Sequence, residues 1–234
     1  MALMPGFPAL SPSIVIHPGI VLLPARIAAA DLLPALPTIL AAAPLRHMTV
    51  PGGRQMSVAT SSCGTLGWCS DASGYRYLAH DPLSGRPWPV MPAAWRELAS
   101  ACAAQAGFPA FDPDACLINA YAAGSRLSRH RDSDEQDLDA PIVSVSLGAP
   151  ARFVLGGLQR KDPVQAIWLR DGDVLVWGGP MRLIHHGVGS PRGRVVDHVF
   201  NGEPALAPYP RINLTFRHAG PAGNSAKTAG NLLP

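Results

Sequence analysis

The residues of this sequence that are best suited to chemistry lie in two short segments, RHRD at 129–132 and LIHHG at 183–187. Side chains two residues apart point to the same side of an extended strand, so His130 and Asp132 can reach one metal ion. The second segment supplies another histidine. Two histidines and one carboxylate form the facial triad of non-haem iron enzymes, which leaves coordination positions open for substrate and oxygen.

This triad is a weak signal by itself, because a histidine near an aspartate often forms only a surface salt bridge. The segment RINLTFR at 211–217 strengthens the signal. On a strand, one of its faces would carry Arg211, Asn213, Thr215 and Arg217. The alternative is an ordinary two-sided sheet whose polar face is solvated.

The segment ACLINAY at 115–121 repeats the arrangement, since its alternation places Leu117, Asn119 and Tyr121 on one face. A buried carboxylate needs an opposite charge, and its remaining lone pairs need donors. Arginine, amide and phenol groups supply both. The two segments therefore predict a binding site for a dicarboxylate.

The elements that would position these side chains are short strands. Apolar or alternating runs occur at 142–148, 151–156, 166–170, 173–177 and 211–217. The linkers between them are rich in Gly, Pro and Asp, with Asp171-Gly172 as one turn signal. This spacing predicts a mainly β protein with flanking helices (α+β), folded as an antiparallel sandwich or jelly roll.

Helices are expected only before these strands. The segment 28–43 predicts a helix that prolines interrupt, and a second helix follows Pro92. Residues of the second helix that recur at helical spacing are Trp95, Leu98, Ala99 and Cys102. The ends of the chain, 1–13 and 220–234, lack periodicity and are predicted to be a flexible and a disordered tail.

The composition excludes several classes of protein. Hydrophobic residues at 47% exclude a globally disordered chain, and 19 basic against 16 acidic residues give a net charge of +3, too small to imply nucleic acid by itself. The four cysteines form no C-x-x-C pair, so buried free thiols are expected. Because residues 1–25 contain no Lys or Arg, a secretory signal is not indicated, and the sequence predicts a cytoplasmic protein without membrane association.

Five longer segments carry a resemblance to a known family. They are MTVPGGRQMSVATSSCGTLGW, DPDACLINAYAAG, HRDSDEQDLDAPIVSVSLG, GDVLVWGGPMRLIHHG and RINLTFRHAG. In this order the sequence resembles the bacterial AlkB family of iron(II)- and 2-oxoglutarate-dependent dioxygenases, from about residue 15 to about residue 219. The resemblance implies a double-stranded β-helix, a variant of the jelly roll, at 111–219, preceded by an N-terminal extension and nucleotide-recognition lid at 14–110.

The resemblance also implies roles for single residues. It implies that His130, Asp132 and His186 bind iron and act in catalysis. It implies that 2-oxoglutarate is bound by Asn119, Tyr121, Arg211, Asn213 and Arg217. His185 is ambiguous, because related proteins usually carry an aromatic residue there; on an extended segment it should face away from His186, which is the preferred ligand.

The implied activity is repair of alkylated DNA. The family couples 2-oxoglutarate and O2 to succinate, CO2 and formaldehyde while it demethylates bases such as 1-methyladenine and 3-methylcytosine. The base must be flipped out of the stack. The resemblance implies that the substrate contacts Trp68, Tyr75, Asp134 and Arg160; core packing is the alternative for Trp68 and Tyr75. Arg54 departs from the family, which tends to carry an aromatic residue there.

The expected partner is alkylated DNA, with single strands preferred and RNA as a further substrate, and the protein is expected to be a monomer. Two other functions stay open. One is an oxygenase on the same scaffold that acts mainly on RNA. The other is a non-enzymatic jelly roll that holds a metal such as zinc at a fixed site, in which the carboxylate-binding face would have no purpose.

Overall fold

Strands make up most of the protein. The computed structural model describes residues 12–192, 206 and 208–221, so most of the two predicted tails lies outside the described residues. The strands are β1 (Ile14–His17), β2 (Ile20–Leu23), β3 (Ala59–Gly64), β4 (Gly67–Asp71), β5 (Gly74–Leu78), β6 (Ala115–Tyr121), β7 (Leu127–His130), β8 (Ile142–Gly148), β9 (Ala151–Leu155), β10 (Gln165–Leu169), β11 (Val174–Trp177), β12 (His186–Val188) and β13 (Arg211–Arg217).

Two antiparallel sheets form the framework of the site. The large sheet has seven strands in the order β1-β2-β11-β8-β13-β6-β3, and the small sheet has four in the order β10-β9-β12-β7. Strands β4 and β5 form a separate hairpin. This is the predicted jelly-roll type of fold, and the five runs at 142–217 that predicted strands are strands here.

The helices cover one face of the large sheet. The predicted proline-interrupted helix consists of α1 (Ala29–Leu32), a 3₁₀ turn (Leu33–Ala35) and α2 (Leu36–Ala42), and α3 spans Ala93–Gln105. The four residues predicted from helical spacing in α3 are all buried. They belong to the core between helices and sheet, together with Ile212, Leu214 and Phe216 of β13.

A second core lies between the two sheets. It contains Ile142, Phe153, Leu155 and Trp177. Because side chains alternate along a strand, β13 turns its apolar residues to the helices and its polar residues to the space between the sheets. Apolar packing on one side of β13 thus fixes where the polar side chains of the site point.

The turn at Asp171-Gly172 connects the two sheets. It leads from β10 in the small sheet to β11 in the large sheet, instead of closing a hairpin. The Gly172 N–H donates to Ser146 O at 2.8 Å, and the residue has a φ of 79°. A Cβ there would lie 2.3 Å from Ile27 O, so only glycine fits.

Strands from the N-terminal part of the chain belong to the large sheet. β2 pairs with β11, and β3 pairs with β6. The division at residue 110 into a lid region and a β-helix core stays a prediction. All four cysteines are buried and free, as the sequence predicts. In the described part of the chain, no helix is long and apolar enough to cross a membrane.

Candidate active site

His130, Asp132 and His186 form a cluster between the sheets. β7 and β12 pair with His130 opposite His186, which brings the two imidazoles to one point. His130 Nε2 lies 3.4 Å from Asp132 Oδ1, and His186 Nε2 lies 3.8 Å from Asp132 Oδ2. One ligand atom from each residue lies within 4.8 Å of the others. The cluster unites the three residues that the sequence proposes as iron ligands.

Backbone carbonyls orient both histidine rings. His130 Nδ1 lies 2.8 Å from Ser128 O, and His186 Nδ1 lies 3.3 Å from Ile184 O. A ring nitrogen that faces a carbonyl carries the proton, so each Nε2 keeps its lone pair. Two aromatic rings also hold His186 in place. The ring centre of Phe153, which stacks on it, is 5.5 Å from that of His186, and the ring centre of Trp177 is 5.1 Å away. These two aromatic residues were not predicted from the sequence.

The charges in the cluster favour the metal-binding forms of His186 and Asp132. Burial alone would lower the pKa of His130, but its contact with Asp132 raises it. Burial lowers the pKa of His186 to about 4, and the neighbouring His130 adds to that effect, so His186 is neutral at neutral pH. Burial alone would raise the pKa of Asp132, but Arg217 and the two histidines hold it well below its usual range. A neutral imidazole and an ionised carboxylate are the forms that bind a metal ion.

Arg217 links the cluster to a buried ionic network. Its Nη2 donates to Asp132 Oδ2 at 2.7 Å, and its Nε lies 3.0 Å from Glu135 Oε1. Arg182 Nη2 lies 3.1 Å from Glu135 Oε2, and the Tyr77 hydroxyl donates to Glu135 Oε1 at 3.0 Å. The sequence predicts Arg217 as a 2-oxoglutarate ligand but gives no signal for its pairing with Glu135.

We expect Glu135→Gln to lower the free energy of unfolding by about 3 kcal/mol or more, because it removes the carboxylate that two buried guanidinium groups share. Glu135 is only 6% exposed. Urea unfolding followed by circular dichroism would measure the change. The matched control is Glu97→Gln on the exposed side of α3, which should stay within about 0.5 kcal/mol of the wild type. Equal stability of the two variants would show that the network contributes little.

Arg211 is a buried charge with no carboxylate partner among the described residues. It is 1% exposed, and its Nη2 donates to Ser146 Oγ at 2.7 Å while its Nη1 donates to Ala149 O at 3.1 Å. Its Nε has no hydrogen-bond partner. Its guanidinium carbon lies 6.0 Å from the centre of the Tyr121 ring. A guanidinium held in this way is prepared for a carboxylate ligand.

The amides beside Arg211 come from neighbouring strands. β13 and β6 pair with Asn213 opposite Asn119. Asn213 Nδ2 donates to Ser144 Oγ and Val145 O, both at 2.8 Å, whereas Asn119 Oδ1 is buried without a partner. Two serines of β8 therefore fix the arginine and the amide of β13. Their alternation with valine in IVSVSLG was the signal available in the sequence.

These residues fit iron and 2-oxoglutarate. The triad and the Arg211 pocket line one cavity of about 630 Å³, which Leu117, Asn119 and Tyr121 also line. The buried atoms Asn119 Oδ1, Arg211 Nε and Arg217 Nη1 have no hydrogen-bond partner among the described residues. A dicarboxylate with a keto group offers acceptors for the two guanidinium donors, and two imidazoles with one carboxylate suit iron(II).

The candidate substrate residues line the same cavity. Trp68 in β4 and Tyr75 in β5 stack with ring centres 5.6 Å apart and an angle of 15° between the planes. The Trp68 Nε1–H donates to Asp134 Oδ2 at 3.0 Å. Asp134 therefore contacts the indole, and its predicted contact with the substrate stays a prediction. Burial raises the pKa of Asp134.

Arginines surround the mouth of the cavity. Arg160 Nη1 donates to Arg129 O at 3.2 Å, which places the predicted substrate residue Arg160 beside β7. The other arginines that line the cavity outside its buried core are Arg54, Arg126 and Arg131. None of these five arginines forms an ion pair with another described residue.

His185 lies outside the cluster. Its Nδ1 lies 3.4 Å from Gly157 O, and its backbone N–H donates to the same oxygen at 2.9 Å. The ring therefore points to the loop at 156–157. The cluster with His130 and Asp132 contains His186 and not His185. This placement agrees with the preference for His186.

A jelly roll that carries a two-histidine, one-carboxylate cluster beside a buried arginine defines a class of protein, the non-haem iron oxygenases that use 2-oxoglutarate. Residues 19–217 match the 2OG-Fe(II) oxygenase superfamily. The chain is 48% identical over 192 residues to "Alpha-ketoglutarate-dependent dioxygenase AlkB" of Salmonella typhimurium, covering 82% of this chain and 85% of that protein. The chain belongs to the 2OG-Fe(II) oxygenase superfamily and, within it, to the AlkB dioxygenases.

Two further comparisons extend this relationship. The solved structure of OsALKBH1 superposes with a TM-score of 0.73 at 26% identity and covers 88% of this chain and 100% of that one. Human "Nucleic acid dioxygenase ALKBH1" is 35% identical over 116 residues, which are 47% of this chain and 30% of that protein. The protein is an oxidoreductase whose cofactor is iron(II) and whose cosubstrates are 2-oxoglutarate and O2.

Proposed function

We propose that this dioxygenase repairs DNA by oxidative demethylation of bases such as 1-methyladenine and 3-methylcytosine, releasing formaldehyde. The observation that carries the proposal is the stacked pair of Trp68 and Tyr75, which lines the same cavity as the candidate iron ligands. Aromatic faces beside a catalytic cavity suit a flat base that has been flipped out of its stack.

The charge at the cavity mouth supports a nucleic-acid substrate. The arginines there have no acidic partner among the described residues, so they are available for phosphates. A human relative named as a nucleic acid dioxygenase supports the same substrate class. We propose single-stranded DNA as the preferred form, RNA as a further substrate, and a cytoplasmic monomer as the active species.

In the mechanism that we propose, the protein positions the reactants. His130, Asp132 and His186 would hold the iron, which with 2-oxoglutarate and O2 supplies the power to oxidise an N-methyl group. Arg211 would pair with one carboxylate of 2-oxoglutarate. The residues beside it would be Asn119, Tyr121, Asn213 and Arg217.

The substrate side of the cavity would bind the flipped base and the nucleic-acid backbone. Trp68 would stack on the flipped base, and Tyr75 stacks with the indole. Asp134 fixes the indole through its Nε1–H, so the stacking surface is set before the base enters. Arg160 lies at the mouth of the cavity, where phosphates of the backbone pass.

A single assay tests the proposal. The protein is loaded with iron(II) without oxygen, and O2, 2-oxoglutarate and a methylated oligonucleotide are then added. Mass spectrometry should show loss of the methyl group with formation of succinate. Succinate without demethylation of DNA would favour the oxygenase that acts mainly on RNA, once the same lesion in RNA is tested. No succinate under any condition would favour the non-enzymatic jelly roll, against which the buried Arg211 already argues.

We expect Trp68→Ala to weaken demethylation of methylated oligonucleotides by about tenfold to a hundredfold, since base stacking on an aromatic face contributes roughly 1 to 3 kcal/mol. Slow 2-oxoglutarate turnover without DNA should survive, because the triad and Arg211 lie outside the hairpin of β4 and β5. Measuring both rates separates loss of stacking from misfolding. Full activity of Trp68→Ala on DNA would remove the nucleobase assignment.

A further inference from the structure

The outer face of the small sheet carries a tryptophan opposite an arginine. On β9, Phe153 points into the core between the sheets, so its neighbours Arg152 and Val154 point outward. The register of β10 places Trp168 directly opposite Arg152. Trp168 is 36% exposed, and the guanidinium of Arg192 lies 5.7 Å from the centre of its ring.

The next strand, β12, carries a glycine between His186 and Val188, which both line the cavity. This glycine, Gly187, is buried against the backbone of β7, since a Cβ placed on it would lie 3.0 Å from Leu127 O. Gly189 follows the strand, and a Cβ placed on it would lie 3.6 Å from Arg152 Cβ. These two glycines therefore place no side chain between Arg152 and β7.

In the described part of the chain, the charged groups on the strands of this face are basic. We use the name outer strip for Arg129, Arg152, Trp168 and Arg192. Among the described residues, ion pairs of arginine involve Arg46, Arg76, Arg96, Arg182 and Arg217, and the arginines of the outer strip form none. The outward positions of β9 and β10 hold no carboxylate.

The outer strip is continuous with the catalytic cavity. Arg129 lies on β7, lines the cavity mouth and accepts a hydrogen bond from Arg160 at its carbonyl oxygen. From β7 to β10 the small sheet spans three strand spacings, about 14 Å. A polymer that leaves the cavity at Arg129 can therefore reach Trp168 across β12 and β9.

We propose that the outer strip binds the single-stranded nucleic acid that flanks the target nucleotide; this inference rests on the proposed function. Unpaired guanidinium groups attract phosphates, and an exposed indole can stack an unpaired base. A duplex keeps its bases stacked on each other, so it offers no free face to Trp168. The outer strip thus selects flexible single strands, and this selection adds to that of the base pocket.

The test compares two lengths of substrate. Fluorescence anisotropy would measure binding of a methylated trinucleotide and of a single strand of about 15 nucleotides, the upper site size of single-strand-binding domains. The full-length protein carries iron(II) and 2-oxoglutarate and is kept free of oxygen. We expect Trp168→Ala to weaken binding of the long strand about tenfold and to leave the trinucleotide unchanged.

The charge contribution has its own readout. The double variant Arg152→Gln, Arg192→Gln should reduce the slope of log affinity against log salt by about 1.4 for the long strand, because each phosphate contact with a single strand contributes about 0.7. The matched control is Arg96→Gln, on α3 at the opposite side of the large sheet. It should leave the slope unchanged.

Each other outcome overturns the inference. Unchanged binding of the long strand by both variants would show that nothing binds there, and equal losses for long strand and trinucleotide would show an effect on the cavity. Equal losses for a duplex would exclude selection of single strands. Failure of the proposed function is distinct, since the wild type would then demethylate neither oligonucleotide. Succinate formation without nucleic acid checks that each variant is folded.

Discussion

His186→Ala abolishes 2-oxoglutarate turnover, whereas His185→Ala retains most of it: this is the result that we expect from two neighbouring histidines in one segment. The ring of His186 points to Asp132 and is held by Phe153 and Trp177. The ring of His185 points to Gly157 instead. Removal of one ligand from a three-ligand site leaves iron bound too weakly to react.

The same test extends to the other two candidate ligands. His130→Ala and Asp132→Ala should also abolish succinate formation, measured with excess iron(II) and 2-oxoglutarate under oxygen. His185→Ala is the matched control, because it removes the same side chain one residue away. An inactive His185→Ala together with an active His186→Ala would reverse the ligand assignment. Metal affinity, measured by titration with iron(II) without oxygen, should fall in the three inactive variants and stay unchanged in the control.

The positions of single side chains followed from local periodicity. The alternation in RINLTFR and ACLINAY placed the polar residues of β13 and β6 on shared faces, and the structure has the same arrangement around one cavity. This inference needs only the twofold repeat of a strand and an apolar side to bury. The buried face of α3 was predictable in the same way, from apolar residues that recur at helical spacing.

Contacts between distant segments were not predictable in this way. Arg217 pairs with Asp132, 85 residues earlier in the chain, and Glu135 connects Arg182 with Arg217. Such pairs depend on which strands become neighbours, and strand order is decided by the whole core. For the same reason, the turn at 171–172 was identified but not its role in joining the two sheets.

The substrate-binding residues show a third limit of prediction from the sequence. Trp68 and Tyr75 were expected to line the nucleotide site, but their stacking on each other depends on the register of β4 and β5, where Trp68 lies opposite Tyr77 and Ser70 opposite Tyr75. A side chain can reach diagonally across a hairpin only when both rotamers permit it. The residues of the site could be predicted from the sequence, whereas their contacts depend on the strand register of the hairpin.

Arg211→Ala should raise the 2-oxoglutarate concentration needed for half-maximal turnover by about two to four orders of magnitude. Without the guanidinium, a carboxylate of the cosubstrate would be buried unpaired, at a cost of about 3 to 5 kcal/mol. Arg211 is suited to this role because it is buried, held by Ser146 and Ala149, and without an acidic partner among the described residues. Iron binding should remain, since the triad lies on β7, β12 and the segment after β7.

The conservative variant separates the geometry of Arg211 from its charge. Arg211→Lys should recover only part of the affinity, because an ammonium group cannot present the two parallel donors of a guanidinium. Binding of 2-oxoglutarate is measured by calorimetry without oxygen, and thermal unfolding shows whether each variant is folded. Unchanged 2-oxoglutarate affinity in a folded Arg211→Ala protein would dismiss this role. Loss of affinity with intact iron binding would instead identify β13 as the strand that selects the cosubstrate, independently of the residues that hold the metal.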